Sequence, residues 1–340
     1  QWMALHMYCK NPNLLEDVIL SSSLIDVSHP PTWEMVAPWT YPQSQGTWSL
    51  HITRYFLSDM YWNELLPIRY EIDLIILVTQ VSAMRKTSKD IGWEAIFEEY
   101  NIYSHDFDEE PYYINSKKIK IAVQHLTTTS SKEVRILCYQ ASRKDRPQVF
   151  VDRGIFILPI KNGSYVLVKG EGYIDIPEIK TPAIEFKPSI DFQLLAPLVG
   201  NSESQYLDYA VAIGLLEHFT DEDKLFLTIR GRKRTPGKFD FNVNGFQITQ
   251  GSVQTEVDGG YEGKNDIYLV EAKNANQKEV IIRQLYFPYR YWSSIIPTKK
   301  IHPFFFEKQG DEYRLWLYEI ADSHDYNSIR LVKSNRYILS

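Results

Sequence analysis

The stretch from 256 to 273, Glu-Val-Asp-Gly-Gly-Tyr-Glu-Gly-Lys-Asn-Asp-Ile-Tyr-Leu-Val-Glu-Ala-Lys, constrains the fold more than any other part of the chain. It reads as two strands around a Gly263 to Asn265 turn, with a composition suited to a hairpin. Alternation along the second strand puts Ile267, Leu269, Glu271 and Lys273 on one face, and along the first it groups Gln254, Glu256 and Asp258. A turn centred between Lys264 and Asn265 sets Asp258 opposite Glu271, with Cβ atoms roughly 5 Å apart. Two carboxylates that close raise one another's pKa unless a cation lies between them, and oxygen ligands suit Mg²⁺. Lys273, one pleat along, is placed to hold a water beside a phosphorus. A surface hairpin with a simple Glu–Lys pair is the bland alternative; the apolar run before Glu271 argues against a solvated edge.

Other motifs fall away. Gly259 to Asn265 lacks the glycine spacing of a phosphate-binding loop, and Asn265 stands where that loop needs Ser or Thr. Gly170-Glu171-Gly172 is a fragment of a dinucleotide fingerprint. The two cysteines, Cys9 and Cys138, form neither a disulfide framework nor a zinc site and fit a reducing cytoplasm. No apolar run is long enough to span a membrane, and residues 1–30 show no signal-peptide pattern. The net charge of −6 excludes a uniformly basic coat. Local balance differs: residues 111–150 hold eight Lys or Arg against two acids, and 228–238 hold Arg230, Arg232, Lys233, Arg234 and Lys238 with none. Such patches suit phosphate.

Along the chain, residues 1–80 form an aromatic-rich, proline-broken arm or cap, in which 72–80 is a buried strand or helix. Residues 81–150 read as a helix from Asp90 and an extended piece at 112–115, then a helix capped by Ser116 and carrying Lys117, Lys118 and Lys120. Strands at 133–140 and 149–151 follow, around a turn bearing Arg143, Lys144 and Arg146. That order predicts a winged-helix-like DNA-recognition domain, with the basic helix in a groove and the turn on the backbone. Residues 151–200 give a hairpin around Asn162-Gly163 and a connector. Residues 201–340 open with a helix from 202 to 218, whose stripe Glu203, Leu207, Ala210, Gly214 and Glu217 sets two glutamates some 21 Å apart. Only one of them can serve a single site, and Glu203 is the candidate accessory metal ligand. Strands are expected at 224–229, 238–243, 252–261 and 267–273, then a helix from 276 ended or kinked by Pro288, then strands at 301–306 and 313–320.

Asp258 followed by Glu271-Ala272-Lys273 resembles the PD-(D/E)XK nuclease signature. So does the succession of a helix, strands, a helix and a strand from 202 to 306. Ser-Glu-Ser-Gln-Tyr-Leu-Asp-Tyr-Ala at 202–210, Leu-Thr-Ile-Arg-Gly-Arg at 227–232 and Arg-Gln-Leu-Tyr-Phe-Pro-Tyr-Arg at 283–290 are similar to a group of type II restriction endonucleases. Residues 90–101 and 135–173 extend that resemblance, which covers about 85–335. In that group a winged-helix-like region precedes the nuclease core. Val257 replaces the proline often found before the signature aspartate. Tyr289 lies five residues after Gln284 rather than four, so Gln284 is a candidate DNA or water contact.

The resemblance implies an α+β or α/β fold with a restriction-endonuclease-like mixed sheet flanked by helices. It implies a sequence-specific, Mg²⁺-dependent double-stranded DNA endonuclease of a prokaryotic, cytoplasmic restriction-modification system. Asp258, Glu271 and the Ala272 carbonyl would hold Mg²⁺, and Lys273 would orient the attacking water, leaving 5′-phosphate ends. Arg230, Arg232, Lys233 and Arg234 would grip phosphates. Cutting both strands of a palindrome suggests a homodimer. With no Pro-Pro-Tyr motif in the chain, a protective methyltransferase would be a separate protein. The alternative is a DNA-binding regulator or repair protein with a nuclease-like fold.

Overall fold

The computed structural model describes residues 86–340, apart from 196–198, 201, 236 and 275–276. The arm or cap read over 1–80 lies outside the described residues. The described part is mixed α and β.

The first portion is built on α1 (Ser88–Glu99). Thr87 and Asp90 close a capping box at its start: Asp90 N donates to Thr87 Oγ1 at 3.1 Å, and Thr87 N donates to Asp90 Oδ2 at 2.7 Å. Trp93, Ile96 and Phe97 are fully buried, at the three-and-four spacing of one helix face. The Trp93 indole donates to Leu137 O at 3.0 Å, so its polar edge is satisfied as its ring packs on Phe150. The chain continues through β1 (Tyr112–Asn115) and α2 (Ser116–Val123). Asn115, not Ser116, caps α2, its side chain accepting from Lys118 N at 2.9 Å. Three one-turn helices follow: α3 (Thr129–Lys132), α4 (Val134–Leu137) and α5 (Gln148–Val151).

These last helices replace both strands expected over 133–151. Val134 and Leu137 are buried while Arg135 and Ile136 between them are exposed, a spacing of three rather than two. Adjacent Val149 and Phe150 are both buried, which strand alternation does not permit on one face. The hairpin that follows is β2 (Ile155–Lys161) and β3 (Ser164–Lys169), turning at Gly163, whose φ is +69°. It joins β1 in an antiparallel sheet of order β1-β3-β2. Alternation gives the hairpin two working faces. Ile155, Ile157 and Leu167 pack with Trp93 and Phe97; Phe156, Leu158, Val166 and Val168 pack with Phe241, Phe305 and Trp316 further along the chain.

The remaining elements are β4 (Tyr173–Asp175), β5 (Ile184–Phe186), α6 (Glu203–Ala212), α7 (Leu215–Thr220), β6 (Phe226–Arg234), β7 (Phe239–Val243), β8 (Phe246–Gln250), β9 (Gln254–Glu262), β10 (Asp266–Asn274), β11 (Glu279–Ile281), α8 (Ile282–Ile295), β12 (Lys300–Gln309), β13 (Glu312–Ile320) and β14 (Ile329–Leu339). Seven strands form a mixed sheet in the order β5-β14-β13-β12-β10-β9-β6. β6, β9 and β10 are antiparallel neighbours, whereas β10 and β12 run parallel with α8 as their crossover. The helices cover opposite faces of β10. Leu207, Ala210, Leu216 and Phe219 of α6 and α7 pack with Tyr268, Val270 and Ala272. Tyr289 and Trp292 of α8 pack with Ile267 and Leu269. Burial on both faces explains the nearly continuous apolar run of β10.

Two expectations change here. The helix read over 202–218 breaks at Gly214, with φ +83°, where a Cβ would lie 2.7 Å from Ser189 Oγ. Glu217 therefore belongs to α7. The helix read from 276 begins at Ile282, after β11, and passes through Pro288 to Ile295. The short strands β4, β5 and β11, β8 and the long edgeward strand β14 had no expected counterpart.

Arg143 ties the two portions together. Its side chain pairs with Glu171 at 3.2 Å, Asp175 at 2.6 Å and Glu279, and its backbone N donates to Glu279 Oε1 at 2.6 Å. The guanidinium also lies over the Tyr173 ring. Its donors face three carboxylates of the chain itself, so here it serves as an internal tie. Removing it would strand Glu279, whose side chain is 15% exposed. Arg143→Ala is expected to destabilise the protein by about 2 kcal/mol, a buried-pair loss discounted for partial exposure. A urea midpoint unchanged from the native protein would show that the tie carries no stability.

Candidate active site

The β9–β10 register is the one expected from the turn. Ile267 pairs with Glu262, Tyr268 with Tyr261, Leu269 with Gly260 and Val270 with Gly259. The next step brings Asp258 to Glu271. There the backbone ladder gives way to a side chain: Asp258 Oδ2 accepts from Ala272 N at 2.8 Å. Gly260 lets β6 approach closely, since a Cβ at this position would lie 2.5 Å from the Ile229 Cβ.

Glu271 is buried, and its Oε1 accepts from Lys273 Nζ at 2.5 Å and from the Gln284 side-chain amide of α8. Lys273 Nζ also donates to Ala272 O at 3.0 Å. Gln284 therefore acts on Glu271 itself. On the opposite flank, Glu203 in the first turn of α6 accepts from Asn274 N at 3.2 Å. The structure thus brings together Asp258, Glu271, Lys273, Gln284 and Glu203 at one end of β10, while Glu217 turns away to take Leu225 N at 3.3 Å.

Burial pushes the Glu271 carboxyl up to about 7; Lys273 opposes the rise, and the charges of Asp258 and Glu203 add to it. Burial works to lower the Lys273 pKa, but Glu271 outweighs it and the ammonium is held above its usual range. One lysine therefore serves three carboxylates.

The basic residues divide into two kinds. Arg230 Nε donates to Asp258 O at 3.1 Å, and its two terminal nitrogens hold Asp208 of α6. Arg232 pairs across the strands with Glu256 at 3.0 Å. Lys233 and Arg234 are exposed on β6, as are Lys117, Lys118 and Lys120 on α2 and Lys144 beyond α4. Arg146 is half-buried over the Tyr173 ring. Sequence reading missed Asp208, because its pairing with Arg230 depends on how α6 docks beside β6 and β9, and no local spacing encodes it.

Residues 168–338 match a family described as Domain of unknown function (DUF6997), and residues 90–167 match one described as Domain of unknown function (DUF6996). The chain belongs to the DUF6997 family. No curated protein and no solved structure matches it. The boundary between the two matches falls at the end of the β2–β3 hairpin. The candidate site lies wholly within the DUF6997 portion.

Among the described residues, no three His, Cys, Asp or Glu side chains are close enough to form a metal cluster by themselves. The donors at the end of β10 are nevertheless all oxygen: Asp258, Glu271 and the Ala272 carbonyl, with Glu203 near enough to raise Glu271. Such a set fits a hard divalent cation. It also makes a pH prediction for metal-free protein. Glu271 binds its proton more tightly folded than unfolded, so the stability this gives is complete below the ordinary glutamate value of 4.5 and is lost as pH rises towards about 7. Glu271→Gln is expected to flatten that decline by on the order of 2 kcal/mol in urea melts between those limits. Parallel curves for native and variant protein would assign the decline to other groups.

Proposed function

We propose that the chain is a Mg²⁺-dependent endonuclease acting on double-stranded DNA, of the PD-(D/E)XK kind and sequence-specific. The observation that carries this reading is the placing of Asp258 against the Ala272 amide, beside the Glu271–Lys273 pair on the adjacent strand. Further support comes from the strand order β6-β9-β10-β12, with α8 crossing between the last two. The helix, strand, helix and hairpin order of residues 88–169 supports a winged-helix-like recognition domain. Its basic surface would be α2, with Lys117, Lys118 and Lys120 outward; the hairpin would be β2–β3 rather than the stretch 133–151.

A divalent cation held by Asp258, Glu271 and the Ala272 carbonyl would stabilise charge on the scissile phosphate and acidify a nearby water. The protein's own groups do the positioning. The Ala272 amide fixes Asp258, and Gln284 and Lys273 fix Glu271. The Lys273 ammonium is set to orient the attacking water in line with the 3′-oxygen, which departs to leave a 5′-phosphate and a 3′-hydroxyl. Lys233 and Arg234 lie exposed on β6 to take flanking phosphates. Action on both strands would need two copies related by a two-fold axis, and a host using it would need a separate protective methyltransferase.

Incubation with unmethylated plasmid and Mg²⁺, followed by mapping of fragment ends, is expected to give discrete cuts bearing 5′-phosphates. Asp258→Ala and Lys273→Ala should each slow cleavage by about 10²–10⁴-fold while DNA binding persists. Undiminished cleavage by either variant, or in EDTA, would remove this site from the chemistry. Specific binding without any cleavage by the native protein would favour a regulator on a nuclease-like fold.

A further inference from the structure

Arg230 lies in a basic run, and a phosphate contact is the role its neighbours suggest. Its geometry differs from theirs. Nε donates to the backbone carbonyl of Asp258 at 3.1 Å, while NH1, at 3.2 Å, and NH2 bind the two oxygens of Asp208 in a planar fork. The guanidinium therefore has one bond to the strand carrying the site aspartate and two to α6. That helix also supplies Glu203, whose carboxylate takes Asn274 N just beyond Lys273 on β10. Two carboxylates five residues apart on one helix thus reach the two site strands, Glu203 directly and Asp208 through Arg230.

From this arrangement we infer that Arg230 and Asp208 form a positioning pair that fixes the backbone of Asp258, and through it the metal-binding carboxylate, rather than a contact to DNA. The inference rests on the nuclease reading above and adds residues to its site. The physical case has three parts. A carboxylate in strand position 258 points where its own peptide plane directs it, and the carbonyl of that residue is the group Arg230 grips. The arrangement needs two parallel N–H donors and a third pointing about 120° away in the same plane, a rigid set that lysine lacks. Finally, Arg230 and Asp208 are 40% and 48% exposed, so losing their pair leaves the fold standing and changes local geometry instead.

The test uses full-length protein with two probes, Mn²⁺ binding followed by paramagnetic resonance and mixed-sequence duplex DNA binding in EDTA across a salt series. Arg230→Gln, Arg230→Lys and Asp208→Asn are each expected to weaken Mn²⁺ binding roughly 10–100-fold, the range for groups that orient metal ligands. The double variant Asp208→Asn with Arg230→Gln should be no weaker than either single one. DNA affinity in EDTA and its salt slope should stay native in all of them, whereas Lys233→Gln lowers the slope by about one phosphate contact. A reduced slope in Arg230→Gln, or native Mn²⁺ affinity in the variants, overturns the positioning role while leaving the nuclease reading in place. Native protein that takes up no Mn²⁺ overturns both.

Discussion

The hydrogen bond from the Ala272 amide to Asp258 sits where a strand pair stops being a strand pair. From Glu262 to Gly259 the backbone of β9 answers that of β10 residue by residue. At Asp258 a side chain takes over the acceptor role. The backbone amide is satisfied, which a buried amide requires. In the same stroke a carboxylate is drawn in beside Glu271. Everything else at the site is arranged around that substitution: Lys273 and Gln284 hold Glu271 from one side, and α6 brings Glu203 and Asp208 from the other.

The cost of the arrangement is electrostatic. Burial pushes Glu271 well above its usual range, the charges of Asp258 and Glu203 add to the rise, and a single ammonium opposes it. Interiors tolerate such a group when it is paired and hydrogen-bonded. Here the hydrogen bonds from Lys273 and Gln284 hold Glu271 while the charge around it stays unbalanced, a perturbed pairing of the kind found at functional sites. The contrast with Arg143 is instructive: there one guanidinium meets three carboxylates, but two of them face solvent and the group serves as a fastening between portions of the fold.

The site was legible in the sequence to the extent that it is local. A short turn fixed the β9–β10 register, and strand alternation then placed Asp258, Glu271 and Lys273 without knowledge of anything distant. Glu203 was found by helical periodicity for the same reason. Arg230 was noticed as a charge but not as a partner of Asp208, 22 positions earlier, because only tertiary docking joins them. The 133–151 region was misread because its apolar residues come in short clusters that satisfy either period. One-turn helices there are held by packing on α1 more than by propensity. β14 escaped notice because few of its side chains are buried, so its sequence carries no alternation for a reader to find. Its pairing with β13 supplies what its composition does not.

The proline within α8 has a consequence for Gln284. A prolyl nitrogen carries no hydrogen, so Pro288 cannot answer the carbonyl four residues before it, and that carbonyl belongs to Gln284. One rung of the helix is missing directly behind the residue whose amide holds Glu271. On the other side Ala272 and Lys273 are locked into β12 opposite Phe306 and Glu307. The grip on Glu271 therefore has one backbone hydrogen bond fewer behind it on its helical side and a full strand pairing on the other. Under the nuclease proposal, the helical side is the one that would yield if the carboxylate adjusted to a cation, with the sheet as the fixed jaw.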